Sequence, residues 1–485
     1  MGVRRRFLVA LGLVIACAHT GHAHGATIKV KTTFDEMEEN GKCSLREAVE
    51  AANGNVVVDT CRKGSSAKDT IELRAKRYEL QIASTGEDLN ADGDLDILGN
   101  VRIVGAGTTA TTISQLATDR IFDVMNSNRL ELSKATLVAG DVSTLPPAES
   151  RGGLARVAGP ASSLKLNRAK LTLGTAQTGG AVYVGDTSAL NASRTLFADN
   201  FGFTRGGAVA TGEKAALKVR SSSFADNSAL SESEGVAGGA ISHDALAGPA
   251  SIARSDFTEN KALASGAGNS TQGGAIQATG SLTIRGSTFE GNEVFAQEAG
   301  TAELGGGVYA AGSETDIVNS TFAENDAFDS DGAGGAVYAD AGVATLAHVT
   351  LAGNLANAGD SLATGALGTI QVSRSVMDTN LFAGGVCDGS VTSGAYNVVE
   401  GDDADCTFAA GDVTGAGENG LGLRALAANG GPTETFALTG ASQAVNFVPT
   451  ARCLALTGGK DQRGFARPVG SKCDAGSYER GAKKP

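Results

Sequence analysis

The chain has 485 residues, 67 of them glycine, no tryptophan and a formal net charge of −13. An acid excess of this size opposes binding to nucleic acid and to anionic membranes. Aromatics make up only 5% of the chain, which leaves little for broad stacking platforms. The glycines follow no three-residue period, so turns account for them and a collagen helix is excluded.

At the N-terminus, Arg4-Arg5-Arg6, the apolar run Phe7–Ala18 and the triplet Gly21-His22-Ala23 read as a cleaved export signal covering residues 1–23. Its removal takes away three arginines and no acid, so the mature charge is near −16. Two variants of this reading remain open. Arg4-Arg5-Arg6-Phe7-Leu8 resembles a twin-arginine signal, and Val14-Ile15-Ala16-Cys17 resembles a lipobox that would make Cys17 a lipid-modified terminus. No later segment reaches the roughly 18 apolar residues of a transmembrane helix. An exported chain with six further cysteines favours disulfides. They form three sequence-local couples, and the expected bonds are Cys43–Cys61, Cys387–Cys406 and Cys453–Cys473.

Residues 45–52 predict a short helix, with Ser44 as N-cap, Glu47 completing a capping box, and Leu45, Ala48, Val49 and Ala52 as its apolar stripe. Next comes Asp88-Leu-Asn90-Ala-Asp92-Gly93-Asp94-Leu-Asp96, with oxygen side chains at alternate positions and glycine at the bend. This matches the first part of an EF-hand-type loop, so Asp88, Asn90, Asp92, Asp94 and Asp96 are candidate calcium ligands. Gly99 stands where the bidentate glutamate would be. The other reading is an acidic turn that leads into a strand. Asp402, Asp403 and Asp405 form a second acidic cluster, read as a polar loop.

From residue 195 the chain repeats itself. Seven segments carry a hydroxyl residue, a spacer, an apolar residue, two spacers and an asparagine, with Val349 in place of the hydroxyl in one copy. The apolar residues are Phe197, Phe224, Phe257, Phe289, Phe322, Leu351 and Met377. The asparagines are Asn200, Asn227, Asn260, Asn292, Asn325, Asn354 and Asn380. Their nearly even spacing, on the order of 30 residues, is that of a stacked-repeat architecture. A glycine pair followed by a β-branched residue, as in Gly238-Gly239-Ala-Ile241, marks each unit a second time. Short strands repeated at this period predict an all-β right-handed parallel β-helix from about residue 95 to about 385. The phenylalanines would stack inside, and hydroxyls and asparagines would bond to their counterparts one coil away. A β-sandwich with glycine-rich turns is the alternative. Three residues before each apolar residue stand Arg194, Ser221, Arg254, Gly286, Asn319, His348 and Arg374, either a ligand groove or a solvated face. Tyr183, Tyr309 and Tyr338 follow the glycine pairs, positioned for sugar stacking or for packing between loops.

The sequence Cys43-Ser-Leu-Arg-Glu-Ala48 matches the signature of bacterial CSLREA-domain proteins, and Gly93-Asp-Leu-Asp-Ile97, Ile103–Thr108 and Asp119-Arg-Ile-Phe122 resemble the rest of that region. Asn429-Gly-Gly-Pro-Thr433, Ala437-Leu438, Asp461-Gln-Arg-Gly464, Arg467-Pro468, Cys473-Asp-Ala-Gly476 and Glu479 resemble a choice-of-anchor Q domain. The middle resembles pectin-lyase-like solenoids in general. The resemblance implies a bacterial protein, secreted or at the cell surface, and implies no catalytic residues. It divides the chain into residues 24–135, a CSLREA-type cap with the first coils; 136–385, the repeats; and 386–485, the C-terminal domain.

Two function classes follow. One is a non-catalytic solenoid that binds an extracellular polysaccharide or a surface protein, for adhesion or as a matrix scaffold. The other is a polysaccharide lyase or glycoside hydrolase, for which Asp256 with Arg254 and Arg285, or His243-Asp244, would supply the chemistry. The binder is favoured. The inter-repeat segments 228–237, 262–272 and 294–304 vary most and are the expected contact loops.

Overall fold

The computed structural model describes residues 24–484, except 233–234, 245–247, 267–269, 299, 313, 328–330, 379–384 and 402–404. The leader with Cys17, and Asn380, Asp402 and Asp403, lie outside the described residues. The chain is a parallel β-solenoid of about 10 turns and is 5% helical. One sheet of 22 strands takes two strands from most coils, and sheets of 12 and 11 strands complete the walls. One coil runs Val209–Thr211, Ala216–Arg220, Ser223–Ala225 and Ser228–Ser231. The ladder starts earlier and ends later than the expected 95–385. Thr27–Lys29 pairs in parallel with Asp69–Glu72, and Val398–Val399 still pairs with Val376–Met377.

The repeat does what its chemistry predicts. Phe197, Phe224, Phe257, Phe289 and Phe322 are fully buried and stack ring on ring, with centroids 4.5, 4.8, 4.7 and 4.6 Å apart. Beside them runs an asparagine ladder. Nδ2 of Asn200, Asn227, Asn260, Asn292 and Asn325 each donates to Oδ1 of the next asparagine at 2.8–2.9 Å. The backbone N–H of each also donates to that Oδ1. The hydroxyl column behaves alike: Ser222 Oγ accepts from Thr195 N, and Ser255 Oγ from Ser222 N.

Left-handed corners keep the strands short. Arg194, Ser221, Arg254, Gly286, Asn319, His348 and Arg374 all have φ between 50° and 65°. The column read as either a ligand groove or a solvated face is therefore a column of corners. The glycine pair meets two separate demands. Gly238 has φ +69°, and a Cβ on Gly239 would lie 2.1 Å from the carbonyl oxygen of Gly274 in the next coil. The first glycine permits the turn, and the second lets two coils touch.

The segments 228–237, 262–272 and 294–304, expected as contact loops, each contribute two strands to the 11-stranded sheet. Their apolar residues explain this. Ala229, Ala262, Val294, Ala327 and Ala356 each sit two residues after a ladder asparagine and pack with Val236 and Ala264 into a core of their own.

Both ends are closed. Helix α1 (Leu45–Gly54) has the expected Ser44–Glu47 capping box and buries Leu45, Ala48, Val49 and Ala52. Its Arg46 is also fully buried, donating to Asp35 and to the carbonyls of Asp92, Gly93 and Asp94. The three disulfides pair as expected, Cys43–Cys61, Cys387–Cys406 and Cys453–Cys473. The C-terminal segment folds back over the corners of four coils. Thr433 Oγ1 donates to Gly286 O, and the side-chain amide of Asn319 donates to Lys460 O. Arg467 donates to His348 Nδ1 at 2.7 Å, and Gly476 N–H donates to Arg374 O. Four of the seven corner positions, Gly286, Asn319, His348 and Arg374, are thus the seat of the chain's own C-terminal segment.

Candidate metal centre and the face beside it

The five acidic-loop residues do not close around one point. Arg46 draws the carbonyls of residues 92–94 towards its guanidinium, and the side chains fan out from that anchor. Asp92 is half-buried and accepts from Thr85 N and Oγ1 at 2.9 and 2.6 Å. Asp94 is buried against Arg120 at 3.1 Å. Asn90 is buried; its N–H donates to Asp96 Oδ2 at 2.7 Å and its Nδ2 to Arg46 O at 3.1 Å.

Asp88 and Asp96 do converge, and their companion is Asp123. One carboxylate oxygen from each of the three lies within 4.8 Å of the others. Asp96 and Asp123 are buried, and Asp88 is exposed. The fold makes this meeting unavoidable. Leu95-Asp96-Ile97 pairs with Phe122-Asp123-Val124 in register, and Asp123 pairs with Arg156 in the next coil. Asp96, Asp123 and Arg156 occupy one position on successive turns. Arg156 Nε donates to Asp123 Oδ2 at 2.7 Å, and Arg156 also reaches Glu149 and Asp88. Sequence reading stopped at Asp96 and missed Asp123. The available signal was a pair of apolar-Asp-apolar triplets, separated by the same step as Asn200 and Asn227.

Charge is crowded here. Burial pushes the Asp96 carboxyl up to about 7, with the Asp123 charge adding to the effect. Burial also raises Asp94, helped by Asp119, and raises Asp123 against the pull of Arg156. The set is rich in hard oxygen donors and suits a cation such as calcium.

The same register position continues up the solenoid as Tyr183, Ala210, Ser242, Gln277, Tyr309 and Tyr338. Two clefts open beside this column. One of about 580 Å³ is bounded by Asp88, Asp94, Arg120, Glu149 and Arg156. The other, about 650 Å³, is bounded by Arg151, Tyr183, Asp186, Arg205, Glu213 and Asp244. Arg151 lies over the Tyr183 ring, 5.0 Å from its centroid. Tyr309 and Tyr338 stack on each other at 5.8 Å, and Tyr183 lines the second cleft.

The sequence-derived catalytic sets come apart. His243 is buried with Nδ1 against Thr211 Oγ1 and Nε2 against Gly248 O, while Asp244 turns to Arg205 at 2.6 Å. Burial lowers the His243 pKa, so the ring is held neutral with both nitrogens engaged. Arg285 donates to Leu456 O. Arg254 lines a basic cleft with Lys460 and Arg463, across the Gly431-Pro432 turn from Asp256. Asp256 shares its own cleft of about 380 Å³ with Glu290 and Glu434. Burial, then Glu434 and Glu290, push Asp256 up to about 7.

Comparisons with protein-family models, with curated proteins and with solved structures return no match. Among the described residues, no helix is long and apolar enough to cross a membrane.

Proposed function

We propose that this is an exported bacterial β-helix protein of the CSLREA and choice-of-anchor Q kind, and that it binds an extended extracellular polysaccharide without cleaving it. The family part of this reading rests on the end motifs. Their residues are structural: Arg46 anchors the acidic loop, and Gln462, Arg467 and Glu479 seat the C-terminal segment. Export is supported by the leader and by three disulfides, which persist in oxidising compartments.

The observation that carries the binding reading is the Arg151–Tyr183–Arg205 cleft. It combines the Tyr183 ring with the guanidiniums of Arg151 and Arg205 on an extended, regularly stacked wall, a layout suited to weak contacts along one polymer. The imidazole nearby, His243, is tied up by Thr211 and Gly248. A hydrolase reading is kept for the other cleft. Asp256, protonated near neutrality beside Glu290 and Glu434, has the makings of an acid with a carboxylate partner.

The test is retention of the purified protein on a panel of acidic and neutral polysaccharides, with unsaturated and reducing-end products followed in parallel. Retention without products, lost in Tyr183→Ala and Arg151→Ala, is the expected result. Steady product formation that disappears in Asp256→Asn would replace the binder with the hydrolase.

A further inference from the structure

The structure assigns a divalent-cation site, best suited to calcium, to Asp88, Asp96 and Asp123, with Asn90 hydrogen-bonded to Asp96 through its N–H. This site is independent of the polysaccharide reading. It also differs from the EF-hand-type loop suggested by sequence, because it uses two coils and leaves out Asp92 and Asp94.

Three buried oxygens at this place have no donor. Asp96 is fully buried; its Oδ2 accepts from Asn90 N–H, and its Oδ1 has no hydrogen-bond partner. Asp123 is 1% exposed; its Oδ2 is held by Arg156, and its Oδ1 also has no partner. Asn90 is fully buried, and its Oδ1 is unpartnered too. Such acceptors are costly, at about 1–3 kcal/mol each and more for charged groups. Native proteins leave few such groups unexplained. In both buried carboxylates one oxygen is fixed by the protein and the other is left free, which is how ligating carboxylates are commonly oriented.

The chemistry of the donors narrows the ion. All are carboxylate or amide oxygens, the preference of hard cations. The carboxylate oxygens lie within 4.8 Å of one another. That bound is compatible with a calcium shell, whose bonds of about 2.3–2.6 Å and flexible geometry accept several carboxylates, whereas magnesium demands a near-ideal octahedron at about 2.1 Å and keeps most of its waters. Asp88 is exposed and borders the 580 Å³ cleft, so an ion has an entry path and solvent can complete its shell. Arg156 and Arg120 do not fill the role. Arg156 is shared among Asp123, Glu149 and Asp88, and Arg120 is paired to Asp94 and reaches Asp123 through Oδ2 at 3.6 Å, so neither meets the two free Oδ1 atoms.

The experiment is calorimetric titration of the chelator-treated full mature chain with calcium, repeated with magnesium, alongside melting curves. One calcium per chain, a rise in melting temperature, and at least tenfold weaker magnesium binding are expected. Asp96→Asn and Asp123→Asn should abolish the heat, and Asp92→Asn should leave it unchanged. Since buried substitutions can perturb folding, exposed Asp88→Asn supplies the second reading and should weaken binding at least tenfold with circular dichroism intact. Absence of saturable calcium binding at millimolar concentration would overturn the site. So would equal binding by wild type and Asp88→Asn, or loss of binding in Asp92→Asn.

Discussion

Two buried polar columns run through this molecule, and they solve the same problem differently. In the asparagine ladder every side chain meets a copy of itself one coil away, and an amide can both give and accept. Donors and acceptors therefore cancel along the whole run from Asn200 to Asn354. In the column Asp96–Asp123–Arg156 the neighbours also stack in register, but carboxylates only accept. Two ionised carboxylates cannot satisfy each other, of their oxygens the guanidiniums of Arg156 and Arg120 reach only Asp123 Oδ2, and free oxygens remain. Repetition of a self-complementary group yields structure, and repetition of a group that is not self-complementary yields a site.

The largest effects should come from breaking the ladder. Asn260→Ala leaves Asn227 N–H and Nδ2 without their acceptor and Phe224 O without its donor, and should cost about 4 kcal/mol or more at one to three per buried group. Phe257→Ala, in the column beside it, should cost about 3–5 kcal/mol. Urea unfolding followed by circular dichroism measures both. A loss below about 1 kcal/mol for Asn260→Ala would mean that the ladder is not cooperative with the core.

Next in size is the C-terminal clasp. Arg467 and Glu479 form an ion pair with both side chains fully buried, and Arg467 also donates to His348. Arg467→Ala should cost about 3–5 kcal/mol by leaving Glu479 buried and unpaired. Limited proteolysis should then release the segment after about residue 420 while the solenoid stays intact. Mild acid should loosen the same seat. The His348 pKa is depressed by burial and by Arg467, so its contribution to stability is present above the ordinary histidine range and is lost as pH falls through and below it.

The acidic column should respond in the opposite direction. A carboxyl raised to about 7 in the fold is most stabilising when protonated, and that contribution is lost as pH rises from its unfolded value near 4 through about 7. In chelator, Asp96→Asn should therefore melt progressively higher than wild type as pH goes from 5 to 8. Calcium should close that gap by restoring the wild type. Parallel melting curves for the two proteins at all pH values would contradict the crowding of charge at Asp96. The smallest effect belongs to Asp92→Asn, within about 0.5 kcal/mol, because its partner Thr85 is exposed and an asparagine oxygen can still accept from it.

The repeat zone was legible because its information is periodic. Phe224, Asn227 and Gly239 recur with every coil, and one reading of their chemistry serves them all. Helix α1 was legible because capping is local: Ser44 and Glu47 sit within one turn of each other. What escaped was contact between residues far apart in sequence. Asp123 lies a full coil after Asp96 and carries no local loop motif. His348, Asn319 and Arg374 read as surface because their cover, from Lys460, Arg467 and Gly476, arrives near the end of the chain. The strands at 228–231 and 261–264 read as loops because their buried residues are mostly alanines, whose hydrophobic signal is weak.

The fold-back at the C-terminus has a mechanical consequence. A stack of coils bears axial tension through parallel strand ladders that can peel one turn at a time. The four coils beneath Thr433, Lys460, Arg467 and Gly476 are bridged by a strap that crosses the stack, so load applied there is shared across turns.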